Sequence, residues 1–154
     1  MINFGNINVV ISGSFRKHLD KIYQLKKILE NLGLNVLSPQ GCSAVNPEEE
    51  FVILDSDPIN SPELLQSSVF AKIRCSTMLI VANFDGYLGS AAILEIGYAI
   101  AIGIKVFVLE EIQDPNIKPY VTKLSNLFPE LEDFYVGERY GKRADKKICK
   151  TIGQ

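Results

Sequence analysis

Four short, mostly apolar runs punctuate the chain: "INVVIS" (Ile7 to Ser12), "LNVLSP" (Leu34 to Pro39), "TMLIVA" (Thr77 to Ala82) and "KVFVLE" (Lys105 to Glu110). They are continuous rather than alternating, the pattern of strands covered on both faces. Helical patterns separate them. From Lys17 to Leu32, Leu19, Ile22, Leu25, Leu29 and Leu32 recur at steps of three and four, and Gly33 is placed to end that helix. Pro62 to Cys75 reads as a second helix with Pro62 in its first turn, and Ser90 to Ile102 as a third with Gly103 behind it. Asn116 to Phe128 is expected to be helical, and "DFYV" from Asp133 to be a short edge strand. Such alternation predicts an α/β chain, with helices on both faces of a mostly parallel sheet of about five strands.

The 154 residues fit one domain spanning 1–154, and 47% apolar with 22% charged residues is ordinary for a globular chain. A net charge of −2 gives no basic excess for gripping a nucleic-acid polymer. The basic tail "ERYGKRADKKICK" reads as a solvated terminal arm. The start of the chain lacks the pattern of a signal peptide, and Asp85, Glu95 and Lys105 interrupt the apolar runs, so no membrane span is expected. Cys42, Cys75 and Cys149 are odd in number and far apart, which suits a reducing cytoplasm; Cys75 reads as a small buried residue. His18 is the only histidine and has no obvious triad partner. No metal site and no cofactor is expected.

In a doubly wound sheet, ligands sit beyond the carboxyl ends of the strands, where the winding reverses. Two loops suit that place. In "SGSFRKH", Gly13 permits a close backbone approach, Ser12 and Ser14 offer hydroxyls, and Arg16 offers a planar donor fork. With the N-terminus of the following helix, this makes an anion cradle. It matches neither the dinucleotide fingerprint nor the phosphate-loop lysine motif, and Ser14 as a plain helix cap is the competing reading. The second loop is "NFDGYLGS", where Asp85-Gly86 signals a turn and Ser90 is placed to cap the next helix. Tyr87 and Phe15 suit either base stacking or core packing. Glu110 and Glu111 read as the solvated start of a loop. Gly41 to Pro62 is irregular, with "FVIL" as a possible short strand and Asp55 and Asp57 beside it; a substrate-covering loop and a surface excursion are both open.

Glu95 is the one charge in "GSAAILEIGYAIAIG", Gly89 to Gly103. It stands five residues beyond Ser90, roughly 7 Å along a helix axis at about 1.5 Å per residue. Ala91 and Ala92 share its face and leave space above it. An ionised carboxylate among apolar groups costs several kcal/mol unless partnered. It either pairs with Arg16, Arg74 or Lys105, or points to solvent, or faces a cleft. In a cleft it acts as a nucleophile or stabilises an electron-poor carbon, and the anomeric carbon of a sugar is such a centre.

"ISGSFR", taken with "NFDGYLGSAAILEIGYAIAIGIKVFVL" from Asn83 to Leu109, resembles the nucleoside 2-deoxyribosyltransferase-like superfamily, which includes the 2'-deoxynucleoside 5'-monophosphate N-glycosidases. The resemblance implies a flavodoxin-like fold, a dimer or higher oligomer, and cleavage of the bond between a base and a (deoxy)ribose. It makes Glu95 the group that attacks the anomeric carbon. Gly13, Ser14 and Arg16 match the loop that holds the 5'-phosphate, and Ser90 matches another phosphate-contacting serine. The partner implied is a small nucleoside or nucleotide. Two departures stand out: Gly89 lies where transferases carry an aspartate, and Val69 and Thr77 lie where further acids are usual. Asp85, Asp55 or Asp57 then become candidate substitutes, and the proton donor is open. Two other readings compete: a non-catalytic nucleotide sensor, and a NAD-cleaving domain of the Toll/interleukin-receptor type.

Overall fold

The computed structural model describes residues 7–41, 44–45, 52–55, 57 and 61–135. The strands and α-helices among these residues follow in the order β1 (Asn8–Gly13), α1 (Phe15–Asn31), β2 (Asn35–Ser38), α2 (Pro62–Arg74), β3 (Met78–Ala82), α3 (Ser90–Ala101), β4 (Lys105–Val108) and β5 (Val121–Lys123). The five strands form one sheet in the order β2-β1-β3-β4-β5, and every pairing is parallel. This is the flavodoxin-like doubly wound arrangement, with its winding reversal between β1 and β3. The four apolar runs are its four longer strands.

Alternation along the strands sorts the two faces. Val9, Ile11 and Ile80 meet Ile22, Leu25 and Leu29 of α1, together with Leu124 and Leu131. On the other face Val10, Leu79, Val81 and Val106 meet Ile73 of α2 and Ile96 and Ala99 of α3. Ser12, two residues after Val10 on β1, therefore belongs to the face covered by α2 and α3. Gly13 ends β1 at a close approach: a Cβ there would stand 3.0 Å from Ile22 Cδ1 and 3.1 Å from the Ala82 carbonyl oxygen. Gly33 closes α1 at φ 90°, and Leu34 N–H donates back to the Leu29 carbonyl at 3.1 Å.

Several expectations are corrected. Asn116 to Phe128 is not one helix: Lys118–Tyr120 and Leu124–Asn126 are 3₁₀ turns, and β5 lies between them. Pro119 removes a helical donor, and β-branched Val121 and Thr122 extend along β4 instead. The edge strand expected at "DFYV" is also absent, since Pro129–Tyr135 is a 3₁₀ segment in which Leu131 is drawn into the core. Cys75 is exposed rather than buried, because Ile73 and Ser76 on either side take the inward positions at the end of α2. From "FVIL", Leu54 forms an isolated antiparallel bridge to Ala44, while Phe51 lies outside the described residues. The basic tail, Cys42 and Cys149 lie outside them too. Among the described residues, no helix is long and apolar enough to cross a membrane.

Candidate active site

A cavity of about 330 Å³ opens beyond the carboxyl ends of the strands at the winding reversal. The end of β1 contributes Ile11 and Gly13, the start of α1 Ser14, Phe15 and Arg16, and the end of β2 Ser38. Val52 comes from the irregular segment, and Gln66 and Val69 come from α2. The opposite wall holds Tyr87, Gly89 and Ser90, then Ala91, Ala92 and Glu95 of α3. Both helices bordering the winding reversal therefore begin at this cavity. The dipole of each favours negative charge there.

Ser14 does cap α1: it is the N-cap residue, and its hydroxyl accepts from Lys17 N–H at 3.3 Å. It also lines the cavity, so the cap and the cradle readings hold together. Ser90 is not the cap of α3. Gly89 takes that position without a side-chain hydrogen bond. The first-turn N–H groups of α3 thus have no side-chain acceptor among the described residues, on the segment that borders the cavity.

Glu95 is 7% exposed. Ser12 Oγ donates to its Oε2 at 2.5 Å, and Gln66 Nε2 donates to its Oε1 at 3.2 Å. Burial raises its pKa above the ordinary carboxylate value, and the bonds from Ser12 and Gln66 oppose that rise. None of the expected cations reaches it. Arg74 donates instead to the Tyr98 hydroxyl at 2.6 Å, and Lys105 is exposed at the start of β4. Among the described residues Glu95 makes no ion pair. It is a buried carboxylate held by two neutral donors, with open space beside it.

Tyr87 borders the cavity with Lys17 Nζ 3.7 Å from its ring centroid and the His18 ring edge-on at 6.4 Å. Phe15 lines the cavity and also packs on the core cluster. Arg16 is exposed and Ser12 is 2% exposed, so the cationic group is at the mouth and the Ser12–Glu95 pair is deep. The candidate acids lie elsewhere. Asp85 is exposed at φ 57°, with its Oδ2 3.9 Å from His18 Nε2, and is not among the residues lining the cavity. Asp57 does not line it either: its Oδ2 accepts from Leu54 N–H at 2.7 Å and pins a turn. Asp55 is exposed. Glu110 accepts from Gly86 N–H, and Glu111 pairs with Lys118 at 3.4 Å.

The sequence reading did not single out Gln66, Ser38, Val52 or Ile11. Ser38 and Ile11 were reachable from the rule that ligands sit at strand carboxyl ends. Gln66 carries no local signal, since its role comes from α2 packing beside α3. Among the described residues, no group of His, Cys, Asp and Glu could hold a metal ion.

Comparison with family models, curated proteins and solved structures found no match to this chain. What fold and site define is a class: a flavodoxin-like α/β protein with a buried carboxylate, held by two neutral donors, in a ligand-sized cavity at its winding reversal.

Proposed function

We propose that this protein cleaves the N-glycosidic bond of a (deoxy)nucleoside or its 5'-monophosphate, with Glu95 attacking C1' and the sugar passing to water or to another base. The observation that carries the reading is the state of Glu95. It lines the cavity, two neutral donors orient it, and no described cation neutralises it. A purely structural carboxylate in that position would be expected to carry a counter-charge or to be replaced by an apolar group. Arg16 and the starts of α1 and α3 supply an anion-binding mouth for the 5'-phosphate. Tyr87 and Phe15 offer aromatic surface to the base. The likeness of "GSFR" and "EIGYA" to the nucleoside 2-deoxyribosyltransferase-like proteins supports the same assignment.

The test is base release, followed by chromatography, from a panel of ribo- and deoxynucleosides and their monophosphates, with neutral and alkylated bases alike, with and without an acceptor base. Release that vanishes in Glu95→Ala and Glu95→Gln is the expected result. Wild-type protein that binds nucleotides but releases base from none of them would instead support the second reading, a nucleotide sensor on this fold. That reading is favoured by Val69 and Gly89 lining the cavity where acids would be expected.

We also infer that the protein acts as a homodimer or higher homo-oligomer. The outer face of α3 exposes Ile93 and Leu94, at 48% and 54%, and Ile102 just past its end is 41% exposed. Gly97 on that helix has nothing within 4 Å of where a Cβ would stand. An uncharged face with a glycine on it lets a second copy approach closely without like-charge repulsion. Tyr98 is not part of this face, because it stacks on Phe70 of the same chain at 4.5 Å.

A further inference from the structure

We propose, resting on the N-glycosidase reading above, that this cavity takes N-glycosides whose base is already cationic, a pyridinium or N-alkylated purinium nucleotide, and releases the base as a neutral molecule.

The first support is the distribution of charge. Glu95 lies deep in a cavity whose lining also includes Val52 and Val69, with no described cation to balance it. Arg16 is exposed at the mouth, where α1 and α3 begin. With Glu95 ionised, the state in which it attacks C1', the cavity is negative at its floor and positive at its rim, and a cation beside Glu95 offsets the burial that opposes this state. A nucleotide with a cationic ring inside and a phosphate outside has the complementary layout. An unbalanced buried carboxylate gains most from such a partner.

The second support is proton demand. A neutral purine or pyrimidine departs with the bonding electron pair and needs a proton, and a positioned general acid typically supplies a factor of about 10²–10⁴. Among the described residues lining the cavity, Glu95 is the only carboxyl and none is a histidine or lysine. Glu95 is itself the nucleophile, and both its oxygens already accept hydrogen bonds. Asp85 is exposed and outside the cavity lining, and Asp57 accepts from Leu54 N–H. The sites where the resemblance leads one to expect acids hold Val69 and Gly89.

A cationic base removes this demand. The Glu95 oxygen forms a bond to C1', the C1'–N bond breaks, and its electron pair neutralises the ring nitrogen. No proton moves in this step. One negative and one positive charge disappear together, which a low-dielectric cavity favours over water. Water then attacks C1', the carboxylate is restored, and one proton passes to solvent. With a neutral base the same step would create an anion among apolar side chains, which is costly.

The experiment uses matched pairs: guanosine 5'-monophosphate against its N7-methyl derivative, the same pair in the 2'-deoxy series, and nicotinamide mononucleotide. Rates are corrected for release without enzyme. The expected kcat/KM for the methylated member exceeds that of its parent by about 10² or more, the contribution of the acid it does not need, and falls to background in Glu95→Ala. Parent and methylated compounds turned over within tenfold of each other would overturn this inference while leaving the N-glycosidase reading intact. So would release from the parents alone. No release from any probe would overturn this inference, and no release from the wider panel above either would overturn both.

Discussion

Glu95→Gln keeps the shape of the side chain and removes its charge. The new amide still has two partners: its oxygen accepts from Gln66 Nε2, and its N–H donates to a rotated Ser12 hydroxyl. In the native protein burial drives Glu95 toward its protonated form, and Ser12 and Gln66 hold it back. A hydrogen bond to a charged group is worth about 1.5–3 kcal/mol and a neutral one about 0.5–1.5. The two bonds therefore favour the ionised form by about 2–3 kcal/mol, against a desolvation penalty of several kcal/mol with no described cation to offset it. The remainder, about 1–3 kcal/mol, is the stability that Glu95→Gln is expected to gain at neutral pH. In a chain of this size that raises Tm by about 3–10 °C.

The pH dependence gives the sharper check. The folded-state pKa of Glu95 lies above its ordinary value of 4.5. The native protein thus holds a proton that the unfolded chain releases as pH rises. The contribution of Glu95 is full in acid, below the unfolded value, and is lost as pH climbs through the folded one. Glutamine does not titrate. Thermal melts of both proteins across a pH series should therefore diverge from acid to neutral, with the variant the more stable and catalytically dead. A variant less stable than the parent at neutral pH would identify Glu95 as a structural anchor. So would a gap that does not change with pH.

Three further outcomes follow from named contacts. Arg16→Ala should cut the preference for a 5'-monophosphate over the nucleoside by about 10–100-fold in kcat/KM, the worth of a charge-assisted hydrogen bond; an unchanged ratio would remove Arg16 from the phosphate site. Gly13→Ala places a Cβ 3.1 Å from the Ala82 carbonyl oxygen and 3.0 Å from Ile22 Cδ1, so denaturant melts should show a loss of about 1–3 kcal/mol, and wild-type stability would mean that β1 and β3 separate there readily. Leu94→Lys and Gly97→Arg on the outer face of α3 should convert a dimer to a monomer in sedimentation, and an oligomer that persists in both would place the interface elsewhere.

Which features were legible in the sequence depended on where their causes lie. The four longer strands and the three helices could be read because each is set by local pattern: continuous apolar runs, a 3.6-residue stripe, and Gly33 or Pro62 at an end. The region after β4 could not, because tertiary contacts decide it. Pro119 blocks a helix, but only the free edge of β4 explains why Val121–Lys123 becomes a strand. The same division runs through the site. Glu95 stood out because a lone charge in an apolar helix needs an explanation, and Ser12 could be placed beside it by the two-residue alternation that puts it on the face of Val10. Gln66 had no such signal: it is one polar residue on a helix whose apolar face is weakly marked, and it matters only because α2 lies against α3. Asp85 drew attention for the opposite reason. Its Asp-Gly turn signal is real, and the turn forms, but at φ 57° its side chain lies out beside His18 rather than on the cavity. A turn motif specifies backbone; whether its carboxyl reaches a ligand depends on the elements around it. Here those elements leave Glu95 as the one described carboxyl on the cavity, so the chemistry turns on what its partners Ser12 and Gln66 allow it to do.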